Sequence, residues 1–143
     1  MNAARKTKPT AAARGAPSSI AVGVNVVDSS AWLEYLAGSD QAAHFAAAIE
    51  DTEHLVVPVI VLYEVFKKLK REQGEDAALR VAAHMQRGEL VEIDADLALH
   101  AATLDLPMAD SLIYATALRH QATLWTQDAH FKGLTGVRHF PKP

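Results

Sequence analysis

The sequence predicts an α/β domain built around a parallel sheet of four to five strands. Two observations carry that reading. Short β-branched runs alternate with helical segments along the chain, and strands separated by helices imply right-handed βαβ units. The length of 143 residues, half of them hydrophobic, suits one domain with a core of its own.

The elements follow in order. Val22–Val27 (VGVNVV) reads as a short buried strand. Ala31, Trp32, Leu33, Tyr35 and Leu36 then have helical spacing, with Ser29 or Ser30 as a cap and Gly38 as the stop. Residues Asp40–Glu50 are Ala-rich and favour a helix. Leu55-Val56-Val57 is a second strand, and Pro58 opens a helix over Val59–Gln73 that Gly74 ends. Asp76–Arg87 is a further helix closed by Gly88, Leu90–Ile93 a third strand, and Asp94 a cap for a helix over Ala95–Leu104. Pro107 opens a helix to about His120 that is apolar on more than one face (Met108, Leu112, Ile113, Ala115, Ala117, Leu118), as expected of a deeply packed element. Thr123–Thr126 is a fourth strand, Asp128–Lys132 a short turn or helix, and Gly136–Phe140 a fifth strand.

Composition excludes several classes. With no cysteine, disulfide scaffolds, Cys-ligated zinc, iron–sulfur clusters and thiol catalysis are ruled out. The longest uncharged apolar run, Leu55–Tyr63, spans nine residues, far short of the about 20 a membrane helix needs. The net charge of −3 is unevenly spread. Residues 1–20 hold Arg5, Lys6, Lys8 and Arg14 and no acid, so the rest of the chain carries −7. That first stretch, otherwise rich in Ala, Thr, Ser, Pro and Gly, is expected to be a disordered basic tail, with the folded domain over 21–143. Its composition resembles a transit peptide, but the expected location is the cytoplasm.

Functional groups in open α/β sheets gather beyond the carboxyl ends of the strands. Asp28 directly follows the first strand, Asp128 comes two residues after the fourth, Glu64 lies in the second turn of its helix, and Asp110 lies in the first turn of the Pro107 helix. Right-handed connections bring all four to one sheet edge. At about 5 Å and an effective dielectric near 20, each pair of ionised carboxylates costs roughly 3 kcal/mol, and six such pairs roughly 20 kcal/mol. Either some protonate or a divalent cation neutralises them. All-oxygen ligation suits Mg²⁺ or Mn²⁺, and such ions polarise phosphodiesters and lower the pKa of water. Each acid also has a plain structural use. Asp28 can be an N-cap, Asp110 can complement a helix dipole, Glu64 can pair with Lys68 and Asp128 can be a turn residue. Those uses do not explain why Glu64 and Asp110 interrupt apolar runs, VPVIVLYEVF and LDLPMADSLIYATAL. Lys68 and Arg71, at i+4 and i+7 from Glu64, are candidates for phosphate contacts, or else a solvated face. Arg119 and Arg138 are weaker candidates.

At these residues the chain resembles the PIN-domain nucleases, most closely the VapC-type toxins of bacterial toxin–antitoxin pairs. The matching segments are VVDSSAWLEYL, VPVIVLYEVFKKL, LPMADSLIYATALRHQATLWTQD and AHFKGL, which together span about Val22 to Phe140. The resemblance implies a PIN-like α/β/α sandwich. It implies a Mg²⁺- or Mn²⁺-dependent ribonuclease whose catalytic, metal-binding acids are Asp28, Glu64, Asp110 and Asp128. Thr126 and Ser30 would orient site carboxylates. A cognate antitoxin would lie near the helix face of Trp32, Tyr35 and Leu36 beside the Ala-rich second helix, with core packing the favoured use of Trp32, and the chain would form a homodimer. In one respect the sequence departs from the pattern: His130 stands where many relatives carry a further acid, which puts a second metal ion in doubt. It can ligate a softer ion, contact RNA phosphate or point to solvent, and the last two are favoured. A housekeeping RNA-processing nuclease and a non-catalytic partner-binding module are the alternatives. A receiver-like phosphoacceptor would need an acidic pair and a late Lys that are not evident.

Overall fold

The computed structural model describes residues 23–143; the expected tail over 1–20, with Ala21 and Val22, lies outside the described residues. Five strands form one sheet: β1 (Asn25–Val27), β2 (Leu55–Pro58), β3 (Glu89–Val91), β4 (Thr123–Thr126) and β5 (Val137–His139). Every pairing is parallel, in the order β3-β2-β1-β4-β5. The flanking helices are α1 (Ser29–Ala37), α2 (Ala43–Glu50), α3 (Val59–Gln73), α4 (Glu75–Met85), α5 (Ala95–Ala102) and α6 (Met108–Arg119). This is the expected α/β class.

The chain enters at the sheet's centre and works outward to β3. It then crosses back through α5 and α6 to the far side of β1. The order therefore reverses between β1 and β4, the place where open α/β sheets leave a crevice. Register pairs Val27 with Trp125, which sets Asp28 and Thr126 side by side at the strand ends.

The central strands are buried on both faces, which explains their near-continuous apolar runs. Val26, Val27, Trp32, Phe45, Ile49, Val57, Leu124 and Trp125 form the main core, and Leu97, Ala101 and Ala115 a smaller one between α5 and α6. Asn25, the polar residue in β1, is also buried. It accepts a 2.8 Å hydrogen bond from Trp125 Nε1 and donates to the Gly23 carbonyl, so its burial leaves no donor orphaned.

Several expected boundaries shift for local reasons. β1 begins at Asn25 rather than Val22, because Gly23 takes a positive φ of 79° that a ladder cannot continue through. The Asp40–Glu50 segment opens as a 3₁₀ turn over Asp40–Ala42, capped by the Ser39 side chain, before α2. Neither Ser29 nor Ser30 caps α1; Asp28 does, accepting from Ala31 N. α4 starts at Glu75 and stops at Met85, so Gly88 is not its closing residue. Gly88 instead passes so close to β2 that a Cβ there would meet the Leu55 carbonyl at 2.7 Å. β3 runs one residue earlier at its start and ends at Val91. α5 stops at Ala102, where the Thr103 hydroxyl bonds back to the His100 carbonyl. α6 is buried along Ser111 and Ile113–Ala117 as expected, but Met108, at 74% exposed, lies outside the core.

Candidate functional site

The four acids come from four separate elements and line one open cleft of about 300 Å³ at the carboxyl edge of the sheet. Ser29, Ser30 and Lys68 share its polar wall, and Leu33 and Ile113 supply the apolar part. Asp28 extends β1 by one residue, Glu64 is in the second turn of α3, Asp110 in the first turn of α6, and Asp128 caps a 3₁₀ turn over Ala129–Phe131 after β4.

Asp28 is the most fixed. Only 3% exposed, it accepts from Ala31 N at 3.0 Å and Ser30 Oγ at 2.8 Å on one oxygen, and from Thr126 Oγ1 at 2.6 Å on the other. Burial pushes its carboxyl up to about 6, outweighing those three hydrogen bonds, which pull it down; the nearby Asp128 charge adds to the rise. Thr126 is fully buried and serves two groups, since its oxygen also accepts from Asp128 N at 2.8 Å. Ser30 likewise links two strands' ends: its oxygen accepts from Gln127 N at 3.3 Å.

Glu64 accepts from the Ser29 hydroxyl rather than pairing with Lys68, whose ammonium lies 2.7 Å from Glu72. Lys68 still lines the cleft, whereas Arg71 does not; it lines an adjoining hollow with Glu64 and Lys68. Ser29 is the site group that sequence reasoning considered only as a cap. The adjacent hydroxyls after Asp28 were the available signal, but which carboxylate each reaches depends on where α3 packs.

The Asp110 side chain is 15% exposed, and its carboxyl is pushed up by burial and by the Asp128 charge, against a pull down from His130. His130 Nδ1 sits 2.7 Å from Asp110 Oδ2 and 3.2 Å from Asp128 Oδ1. The ring is 58% exposed, so it does reach solvent, but its Nδ1 is turned onto the acids. The cause is local: Asp128 holds the His130 backbone N–H at 2.9 Å, and this folds the residue back over the cleft.

Ligand atoms of Asp110, Asp128 and His130 all lie within 4.8 Å of one another. Asp28 and Glu64 share the cleft but not that cluster. Carboxylates held above their ordinary range with little positive charge beside them are the environment that a divalent cation relieves, so the donor set fits one. Arg119 is taken up elsewhere, in a bidentate pair with Asp94, and Arg138 stacks 4.6 Å over Trp125. Trp32 is buried in the core, so it is not part of an open partner groove.

The fold recurs among solved structures. A toxin–antitoxin complex from Klebsiella pneumoniae contains a chain 22% identical, with a TM-score of 0.68, covering 82% of this chain and 99% of that one. Mycobacterium tuberculosis VapC20, described as a sarcin–ricin loop cleaving toxin, is 21% identical at a TM-score of 0.64, covering 82% and 99%. A chain of the DNA-bound VapBC from Salmonella typhimurium is 15% identical at 0.63, covering 84% and 98%. A comparison with curated proteins finds no match. Residues 26–136, most of the sequence, match the family described as PIN domain, and the chain belongs to that family.

Proposed function

We propose that the chain is a divalent-metal-dependent endoribonuclease, the toxin of a toxin–antitoxin pair. The observation that carries this reading is the convergence of Asp28, Glu64, Asp110 and Asp128 in one cleft, with Asp28 and Asp110 both held above the ordinary carboxylate range. The toxin–antitoxin chains that share the fold, one described as cleaving the sarcin–ricin loop, support RNA as substrate and an antitoxin as partner. The same reading includes a homodimer. A housekeeping nuclease would use the same cleft and differ in lacking the antitoxin.

The acids are the residues that would hold Mg²⁺ or Mn²⁺. When bound, such an ion supplies charge neutralisation and Lewis-acid polarisation at a phosphodiester. The chain's own contributions are positional. Ser30, Thr126 and the Ala31 amide lock the Asp28 carboxylate in one orientation. Ser29 holds Glu64, and His130 holds Asp110. Lys68 stands at the rim, where its ammonium can meet a phosphate oxygen once RNA displaces Glu72. Fixing donors in advance lowers the reorganisation needed when charge develops on the phosphate.

The test is cleavage of total cellular RNA by the purified, antitoxin-free chain in Mg²⁺ or Mn²⁺, with EDTA and Asp110→Asn controls. Discrete fragments that vanish in both controls are expected. No cleavage by folded wild-type chain in either metal would overturn the reading in favour of a non-catalytic binding module.

A further inference from the structure

The acid cleft continues along α3. It shares Glu64 and Lys68 with a hollow of about 270 Å³ that adds Tyr63, Lys67 and Arg71. That hollow leads into another of about 510 Å³, which adds Phe66 and Lys70. Residues 63, 66, 67, 70 and 71 stand at i, i+3, i+4, i+7 and i+8, the spacing of a single helix face. A face carrying two aromatic rings would normally be covered, yet Tyr63 is 56% exposed. Lys67 holds the ring in place: its ammonium is 3.3 Å from the Tyr63 hydroxyl and 5.5 Å from the ring centroid. Lys67, Lys70 and Arg71 make no ion pair among the described residues, whereas Lys68 is paired. The stripe thus carries positive charge that no ion pair takes up, although Arg71 also acts on the Glu72 carboxylate, on a body of net charge −7.

We infer that this stripe holds a single-stranded segment of the RNA flanking the scissile phosphate, with an unpaired base stacked on Tyr63 and backbone phosphates on Lys67, Lys70 and Arg71. The inference rests on the reading of the cleft as a ribonuclease site. A polymer with one phosphate in the cleft must leave it along the surface. The Glu64–Lys68 edge is where the wall changes from acid to base, so a polyanion leaves that way. The Tyr63 ring, more than half exposed with Lys67 over it, offers a stacking platform that any base can use, provided the base is not already paired. Tyr63 would then select unpaired RNA, while the three cations would add affinity without regard to sequence.

The experiment measures binding in EDTA, so that no chemistry intervenes. The full chain is titrated against a fluorescein-labelled RNA of roughly 12 nucleotides, single-stranded or annealed to its complement. Tyr63→Ala is expected to weaken single-strand binding about tenfold and to leave duplex binding unchanged, while Tyr63→Phe stays within about twofold of wild type. Lys67→Gln with Arg71→Gln is expected to weaken both RNAs and to lower the salt slope by about 1.4 on the single strand. Unchanged single-strand affinity in Tyr63→Ala would overturn the inference, and so would equal losses on both RNAs. A shift of oligomeric state in Tyr63→Ala would assign the stripe to a second copy of the chain, and displacement of the RNA by polyglutamate at matched charge would assign it to an acidic protein. Tyr63-dependent binding without cleavage in Mg²⁺ or Mn²⁺ supports the stripe and removes the nuclease. Cleavage with no dependence on Tyr63 does the reverse.

Discussion

The Thr126 hydroxyl lies 2.6 Å from Oδ2 of Asp28, across 98 residues of sequence, and the same oxygen receives the Asp128 amide at 2.8 Å. One side chain therefore sets the relative position of two of the four acids. Thr126→Val keeps the shape but removes both bonds, leaving a buried oxygen and an amide without partners. It should cost about 1–3 kcal/mol in urea unfolding. It should also lower RNA cleavage about 10- to 100-fold, the usual effect of losing a group that orients a metal-binding carboxylate. Thr126→Ser should restore most of both.

The raised Asp28 carboxyl sets a direction for pH dependence. An acid whose pKa is higher folded than unfolded stays protonated in the native state after the unfolded chain has released its proton. Metal-free protein should therefore lose stability as pH rises from about 4 to about 6, by ~3 kcal/mol for a rise from 3.8 to about 6. Asp110, also raised, adds in the same direction. Asp28→Asn should flatten most of the decline. Chemical denaturation in EDTA at several pH values measures it, and a decline that persists undiminished in the variant would count against the assignment.

His130 sets an imidazole, rather than a further carboxylate, at the cluster. Its Nδ1 bond lowers the Asp110 carboxyl from where burial and Asp128 would otherwise hold it. His130→Asp removes that bond and adds a third carboxylate beside Asp110 and Asp128. Mn²⁺ binding by calorimetry should tighten, by about tenfold, while the metal-free variant becomes less stable at neutral pH. Weaker Mn²⁺ binding would show that the imidazole is itself a ligand.

Asp94 and Arg119 give an acid-side signature away from the cleft. Their bidentate pair, with the Leu97 amide, holds the Asp94 carboxyl down at about 2. A lowered pKa contributes stability above the ordinary 3.8 that disappears as pH falls through about 2. Asn keeps the cap at the start of α5 but not the charge. Asp94→Asn should thus melt slightly below wild type at pH 7 and converge with it by about pH 2. Both partners are exposed, so the difference should be small and shrink in high salt.

Where local chemistry decides, the sequence was readable. The helix Val59–Gln73 and the strand Thr123–Thr126 have the bounds their patterns predict, because Pro58, Gly74 and the β-branched and aromatic content act within a few residues. The four acids were legible as polar interruptions at strand ends and helix starts, and the parallel topology explains why they meet. What was not legible depends on packing between distant elements. Ser29 reaching Glu64, Arg119 turning to Asp94 and His130 folding onto Asp110 each require knowing where a second helix lies. Lys68 shows the same limit at short range, since Glu64 and Glu72 both stand four residues away and Ser29 decides between them.

The sheet's central strand is also the first to be made. β1 can pair with β2 early in synthesis, but its other edge and the Thr126 hydroxyl arrive only with β4, 98 residues after Asp28. Until then Asp28 lacks one of its three hydrogen-bond donors, and Asp128 has not been synthesised. A nascent chain therefore has no assembled cleft until β4 has paired with β1 and Asp128 has followed it. For a protein proposed to destroy RNA, that order keeps the site unmade while the first half of the domain is being built.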